Sequence, residues 1–236
     1  MSIKILGDPW TPTTGCTKIS PGCRGCYAER FAERLQSDGN KKYENGFKLT
    51  LQRDQLLMPL KRVKANSYFV DAMSDMYHED IPLNYTQQVF AVMNQCPQHA
   101  FQILTKRSDI LVRHSPHLTW SDNIWQGVSV ENQEYVYRID DLRRVPARIR
   151  FIYFEPLIGP ITNLNLDGIH WAVVGGESGP SWRPIDAQWV RDIRDACVAQ
   201  GVKFFFKQWA GNYPKPLGRE LDGRQWSEMP TPSVQV

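Results

Sequence analysis

The sequence is notable first for what is missing. No apolar run in its 236 residues approaches the ~18 needed to span a membrane, so no membrane partner is expected. The opening stretch, MSIKILGDPW, has neither a long apolar segment nor a small-residue cleavage site, which argues against a secretory signal. There is no low-complexity tract and no internal repeat. The formal net charge is only +3, too small to single out a partner. Cysteine is scarce and odd in number, at five. These features predict a cytoplasmic chain. There thiols stay reduced, so clustered cysteines point to metal or catalysis rather than disulfides.

What is present is an alternation. Short runs rich in β-branched and aromatic residues occupy 67–72, 100–105, 123–130, 150–156, 170–176 and 203–209, and a first strand is expected within 3–13. Amphipathic helical patterns lie between them at 28–36, 84–96, 108–114, 132–145 and 187–201. Asn84 and Ser108 are placed to cap two of these, and Gly201 to end the last. The pattern predicts an α/β fold, a parallel (β/α) partial barrel of six or seven βα units, with an open doubly wound sheet as the competing layout. No linker divides the chain. Residues 1–210 read as one barrel-like domain, and 211–236, rich in Pro, Gly and polar groups, as a tail or lid.

Barrel sites collect at the C-terminal ends of strands, and here nearly every strand ends in polar groups. The second gives Asp71, Ser74 and Asp75, and the third Thr105, Lys106 and Arg107. The fourth gives Ser129, Glu131 and Asn132, and the fifth Glu155. Gly175, Gly176, Glu177 and Ser178 follow the sixth, and Lys207, Gln208 and Trp209 the seventh. A lysine at such a mouth either meets substrate or pairs with one of the glutamates. The basic runs at Lys41-Lys42, Lys61-Arg62-Lys64, Lys106-Arg107 and Arg143 to Arg150 are either solvated surface or a phosphate-contacting face.

The strongest local signal is WTPTTGCTKISPGCRGCYA, in which Cys16, Cys23 and Cys26 fall within eleven residues, with a loop at 14–27 to wrap a ligand. Ser20, Pro21 and Gly22 favour a turn that returns Cys16 toward the other two, and Gly15 and Gly25 allow tight backbone paths. A structural zinc needs a fourth ligand. No His or Cys follows within fifty residues of Cys26, and His78 is the nearest. A [4Fe-4S] cluster held by three thiolates keeps one iron open. Unmetallated cysteines packed as small apolar residues are the third option. Cys96 and Cys197 read as core, and Trp171, Phe204 and Phe206 likewise. His99, His114 and His117 read as surface, Trp209 as a pocket flank, and His78, among Asp75, Glu79 and Asp80, as a possible site residue.

Three cysteines in a loop after the first strand resemble the radical S-adenosylmethionine enzymes, although the first gap is six rather than three and the aromatic Tyr27 follows the third cysteine. The whole chain is similar to a phage and bacterial three-Cys-motif family through WTPTTGCTKISPGCRGCYAERFAER, FVDAMSDMYHEDIP, NIWQGVSVEN, FEPLIGPI, VVGGESGP and FFFKQW. The resemblance implies a radical-SAM-like barrel in which Cys16, Cys23 and Cys26 ligate a [4Fe-4S] cluster. The open iron would bind S-adenosyl-L-methionine, and an electron from a flavodoxin- or ferredoxin-like donor would generate a 5′-deoxyadenosyl radical that takes a substrate hydrogen. A Gly-Gly-Glu motif meets the cofactor amine at the second strand of such enzymes. Here Gly175-Gly176-Glu177 follows the sixth, so Ser74 and Asp75 are the candidates for that role. Ser129 and Glu131 fit ribose or methionyl contacts, Gly175 and Gly176 fit the adenine, and Glu155, Glu177, Lys106 and Lys207 face substrate. A phage setting suggests a DNA or RNA base or a nucleotide as substrate. A zinc-stabilised nucleic-acid-binding protein and a non-catalytic iron–sulfur protein are the alternatives.

Overall fold

In the computed structural model, which describes residues 7–213 and 218–231, the apolar runs and a short first strand form one parallel sheet. Its strands are β1 (Asp8–Trp10), β2 (Asn66–Val70), β3 (His99–Thr105), β4 (Ile124–Ser129), β5 (Ile149–Phe154), β6 (Trp171–Gly175) and β7 (Lys203–Gln208). They lie side by side in chain order, and every pairing is parallel. An order that never reverses is incompatible with the doubly wound layout, which has a switch point. Because β1 and β7 are not paired to each other, the sheet is a half-barrel. The first strand falls inside the expected span, and residues 1–6 of that span lie outside the described residues.

The near-continuous apolar character of the strands follows from burial on both faces. Alternate side chains such as Ile103, Val128, Ile152, Val174 and Phe204 face the helices in the larger core. Their neighbours Phe69, Trp125, Phe151, Tyr153, Trp171, Val173 and Phe205 fill the barrel interior. Gly127 sits among them because a Cβ there would fall 2.2 Å from the Phe151 ring.

The described residues form five helices, α1 (Tyr27–Ser37), α2 (Leu83–Asn94), α3 (Ser108–His114), α4 (Tyr137–Arg143) and α5 (Ala187–Ala199); α2 to α5 pack on the sheet in the larger core, and α1 packs on Tyr43 and Met73. In α5 the Asp186 side chain accepts the Gln188 N–H at 2.8 Å, and Val190, Ile193 and Cys197 share the buried face. Gly201, at φ 69°, follows its end as expected. Other boundaries differ from the sequence reading. Pro82 takes the cap position of α2, so Asn84 lies in the first turn. Ser108 is the first residue of α3 and donates to Asp141 Oδ2 at 2.6 Å instead of capping. The pattern at 132–145 divides into a 3-10 turn, capped by Asn132, and α4.

His99, expected at the surface, is fully buried at the start of β3. Its Nε2–H reaches the carbonyls of Arg62 (2.9 Å) and Pro59 (3.2 Å), which tie the long β1–β2 connection to the sheet. The described part of 211–236 covers the outer edge of β7. Phe206 N–H donates to Trp226 O, and Glu228 N–H to Phe204 O. This occupies hydrogen-bonding groups that an open edge strand would leave exposed. Trp209 packs on Phe206 at 4.7 Å rather than facing a pocket. No helix among the described residues is long and apolar enough to cross a membrane.

Candidate functional site

The pleat that points Phe69, Leu104, Tyr153 and Phe205 into the barrel points the residue two positions later inward as well, at the mouth. Asp71, Lys106, Ser129, Glu155 and Lys207 therefore converge on one cleft of about 210 Å³. Its floor is Phe69, Leu104 and Tyr153, and its rim is Gly22, Gly25, Cys26, Tyr27, Gly176, Glu177 and Ser178. Lys207 Nζ meets Glu155 Oε1 at 2.6 Å, so the barrel-mouth lysine does pair with a glutamate. Glu177 is gripped by Arg183 in a fork, Nη2 to Oε1 at 2.7 Å and Nε to Oε2 at 2.9 Å, and Arg183 also donates to Pro21 O in the cysteine loop. Burial raises the Glu177 carboxyl, but the Arg183 bonds outweigh it and hold it below the usual range.

The cysteine loop owes its path to two glycines. Gly15 has φ +80°, and a Cβ there would fall 2.3 Å from Lys48 O. At Gly22 a Cβ would fall 2.3 Å from Glu131 Oε1, whereas at Gly25 the nearest atom would be 3.4 Å away, an ordinary contact. Gly22 is thus the glycine the turn depends on, and Gly25 is not. The three thiols are free and partly exposed.

Two consecutive cations at the end of β3 reach the loop. Lys106 Nζ lies 3.7 Å from Cys23 Sγ, and Arg107 Nη1 lies 3.4 Å from Cys16 Sγ. Burial pushes the Cys23 thiol up, but Lys106 and the Ser20 hydroxyl more than offset this and leave it lowered. Burial and the nearby Asp75 carboxylate push Cys16 up to about 11 against the pull of Arg107.

Both cations are fixed from behind. Lys106 pairs with Glu131, which is fully buried, accepts Ser20 Oγ–H at 2.5 Å and lies 3.6 Å from Arg138. Arg107 is buried and donates to Asp75 Oδ2 (3.1 Å), Glu79 Oε2 (2.7 Å) and Thr17 Oγ1 (2.6 Å). Asp75 further accepts Thr105 Oγ–H at 2.6 Å and Tyr77 N–H at 3.0 Å. His78 is buried in the same wall. Its Nδ1 accepts Asp80 N–H at 3.2 Å, so Nε2 carries the proton and donates to Thr17 Oγ1 at 3.0 Å. Both ring nitrogens are thus occupied, Nδ1 by the turn at Asp80 and Nε2 by Thr17, the residue after Cys16.

A second connection starts at Asp71, which sits at φ 54° and is almost fully buried. Its Oδ1 accepts Thr13 N–H at 2.9 Å and its Oδ2 meets Thr13 Oγ1 at 2.8 Å. Thr13 Oγ1 lies 2.8 Å from Ser74 Oγ, and Ser74 Oγ lies 2.6 Å from Gly15 O. Ser74 therefore anchors the residue before Cys16. Among the described residues no three His, Cys, Asp or Glu side chains converge to hold a single ion.

A family model described as a protein of unknown function, DUF5131, matches residues 1–230. The chain belongs to the DUF5131 family. No curated protein matches this DUF5131 chain in sequence. Solved structures similar to it include spore photoproduct lyase complexed with dinucleoside spore photoproduct, 14% identical over 78% of this chain and 58% of that one, with a TM-score of 0.42. A spore photoproduct lyase variant with bound AdoMet and dinucleoside spore photoproduct is 14% identical over 89% of this chain and 58% of that one, with a TM-score of 0.46. A cysteine-to-serine variant of the same lyase gives 14%, 80%, 60% and 0.45. The DUF5131 chain spans about 60% of the length of these proteins.

Of the residues singled out from sequence, the cleft gathers Cys26, Ser74, Lys106, Ser129, Glu155, Gly176, Glu177 and Lys207. Cys16, Cys23, Asp75, Glu131 and Gly175 are not part of its lining. Gly176 is small because a Cβ would fall 2.3 Å from Ala210 N, and a Cβ at Gly175 would press on the Glu155 carboxyl at 3.1 Å. Sequence reasoning placed Arg107 and Asp71 at strand ends without giving them work, and it did not single out Tyr153 or Arg183. The signal for Arg107 was the pair of adjacent cations closing a buried strand. The others carried none.

The basic runs are mostly occupied elsewhere. Arg62 pairs with Asp8, Arg143 with Asp140, Arg148 with Asp122, and Arg150 bonds the Val145 and Gly168 carbonyls. Only Lys106-Arg107 reaches the site.

Proposed function

We propose that this protein is a radical S-adenosylmethionine enzyme whose Cys16, Cys23 and Cys26 hold a [4Fe-4S] cluster. The observation that carries the reading is the pair of adjacent cations at the end of β3, each directed at a different cysteine sulfur above a cleft in a half-barrel mouth. The donor set suits such a cluster. Three free, partly exposed thiols lie on one loop, and a [4Fe-4S] cluster held by three thiolates takes one per iron and leaves one iron open. A lone zinc calls for four donors at ~2.0–2.3 Å from one centre. When bound, the cluster supplies the electron that cleaves the sulfonium C–S bond of S-adenosylmethionine, with hydrogen abstraction from a substrate as the outcome.

The chain's own residues do the rest. Lys106 and Arg107 offset the negative charge that three thiolates bring to a partly buried loop. Asp75 and Glu131 act through these two cations. Ser129 and Ser178 offer hydroxyls and Gly176 close backbone to the cofactor's polar groups, and Ser74, its proton held by the Gly15 carbonyl, steadies the loop beside them. Phe69, Leu104 and Tyr153 keep the floor dry. Glu155 and Lys207 face the substrate, a nucleic-acid base or nucleotide, and an external flavodoxin- or ferredoxin-like protein provides electrons.

Anaerobic reconstitution with iron and sulfide tests the reading. The expected result is a brown protein with about four irons per chain, a spectroscopic change on adding S-adenosylmethionine, and 5′-deoxyadenosine after reduction. Cys16→Ala, Cys23→Ala and Cys26→Ala should each lose the iron, and Cys96→Ala should keep it. A colourless protein with stoichiometric zinc, or iron retained in all three variants, overturns the assignment.

A further inference from the structure

Tyr153, Glu155 and Lys207 line the cleft and form no hydrogen bond or ion pair with Cys16, Cys23 or Cys26. The Tyr153 side chain is almost fully buried, and its hydroxyl has no hydrogen-bond partner among the described residues. The ring is wedged among Phe151 (5.6 Å), Trp171 (6.1 Å) and Phe69 (6.2 Å), so it has little room to turn toward one. Burial, with Glu155 and Tyr27 nearby, holds its pKa well above the ordinary phenol value, so the group stays a donor. A buried hydroxyl without a partner has given up water for nothing, and a ligand acceptor in the cleft restores the loss.

Two residues along the same strand direction, Glu155 Oε1 is 2.6 Å from Lys207 Nζ. That single bond leaves the second carboxylate oxygen as an acceptor and ammonium protons as donors. The three groups form a short polar edge above the apolar floor of Phe69 and Leu104.

We propose that this edge recognises a flat heterocycle carrying a ring N–H beside a C=O or ring nitrogen, the edge chemistry of a nucleobase. The ring N–H faces Glu155, the acceptor faces the Tyr153 hydroxyl and Lys207, and the ring lies on the apolar floor. This assignment rests on reading the cleft as the reaction chamber. An amino-acid zwitterion is the competing occupant. It must split the Glu155–Lys207 pair and leaves the apolar floor and the phenol poorly used, whereas a neutral edge bridges the pair intact.

The test uses the full chain, purified anaerobically, with saturating S-adenosylmethionine so that the cofactor's own adenine site is filled. Uridine, thymidine and guanosine, each with a ring N–H beside a C=O, and phenylalanine are titrated separately by calorimetry. At least one nucleoside should bind, and Tyr153→Phe should weaken it by about fivefold or more, the worth of one hydrogen bond. The same variant should melt no lower than wild type, because it removes only an unpaired hydroxyl. Lys207→Met and Glu155→Gln should weaken binding further.

Absence of binding by all three nucleosides, binding of phenylalanine alone, or unchanged affinity in Tyr153→Phe overturns the proposal. Iron content and 5′-deoxyadenosine formation in the same samples separate the two readings. Iron and cofactor cleavage without nucleoside binding sinks only the recognition edge. Nucleoside binding that depends on Tyr153, in protein that holds no iron, supports the edge and sinks the radical enzyme.

Discussion

Asp71→Asn tests the hydroxyl chain that fixes the start of the cysteine loop. The hydrogens in that chain can be counted. Ser74 Oγ lies 2.6 Å from the Gly15 carbonyl, which only accepts, so the Ser74 proton points there. The Thr13 hydroxyl proton then fills the 2.8 Å gap to Ser74, and the 2.8 Å contact between Thr13 Oγ1 and Asp71 Oδ2 needs a proton carried by Asp71 itself. Burial independently pushes the Asp71 carboxyl from 3.8 up to about 8.

The sign follows from the folded value lying above the unfolded one. Between these two pH values the folded protein keeps a proton that the unfolded chain has released. This group therefore stabilises the fold fully below pH ~4, and its contribution falls by about 1.4 kcal/mol per unit as pH rises toward ~8. Over the whole window that is on the order of 5 kcal/mol as an upper bound. Asparagine presents the arrangement of the neutral acid, Oδ1 to the Thr13 N–H and Nδ2–H to Thr13 Oγ1, and it tolerates the left-handed backbone at φ 54°. Urea unfolding from pH 5 to pH 8 is the assay. Relative to wild type, Asp71→Asn should gain up to about 4 kcal/mol between pH 5 and pH 8. Parallel pH profiles for the two proteins, or a variant weaker than wild type at pH 8, refute the reasoning.

Arg107→Gln leaves the buried Asp75 without its ion partner and Thr17 without two donors. Loss of about 3 kcal/mol or more in urea unfolding is expected, with reduced iron per chain after reconstitution, and a loss under 1 kcal/mol contradicts the role of Arg107 in holding Asp75 and Thr17 together. Gly22→Ala forces a Cβ onto Glu131 and should lower both melting temperature and iron retention, by about 1–3 kcal/mol in stability. Gly25→Ala, with its nearest contact at 3.4 Å, should change neither, and equal damage from the two refutes this account of the turn. Phe151→Ala empties the barrel interior beside Gly127 and should cost about 3–5 kcal/mol, measured by the same denaturant series.

The six strands after the first were legible because they are largely buried on both faces, which forces runs such as RFIYFEP to be apolar without interruption, and because helical periods separate most of them, although no helix follows RFIYFEP. Helix starts were less legible. Asn84 and Ser108 have the chemistry of caps, but Pro82 and the pull of Asp141 on Ser108 decided the local geometry. The sequence marked the cysteines and the polar strand ends, yet it could not sort those ends by depth. Asp75 and Glu131 look like ligand contacts in one dimension. In three dimensions each carboxylate is paired with the cation next to a cysteine, and the glycine that clears room for one of them lies in the cysteine motif itself.

That last relation binds fold and site together. SPGCRGC needs Gly22 because Glu131 at the end of β4 stands under it. Glu131 stands there to hold Lys106 from β3, and Lys106 reaches Cys23 in the same motif. A closed set of contacts among a loop and two strand ends fixes the position of a thiol before any ligand arrives. Sequence spacing records only the loop's share of it, which is why the cysteines could be read from the chain while the residues that aim them had to be seen in the fold.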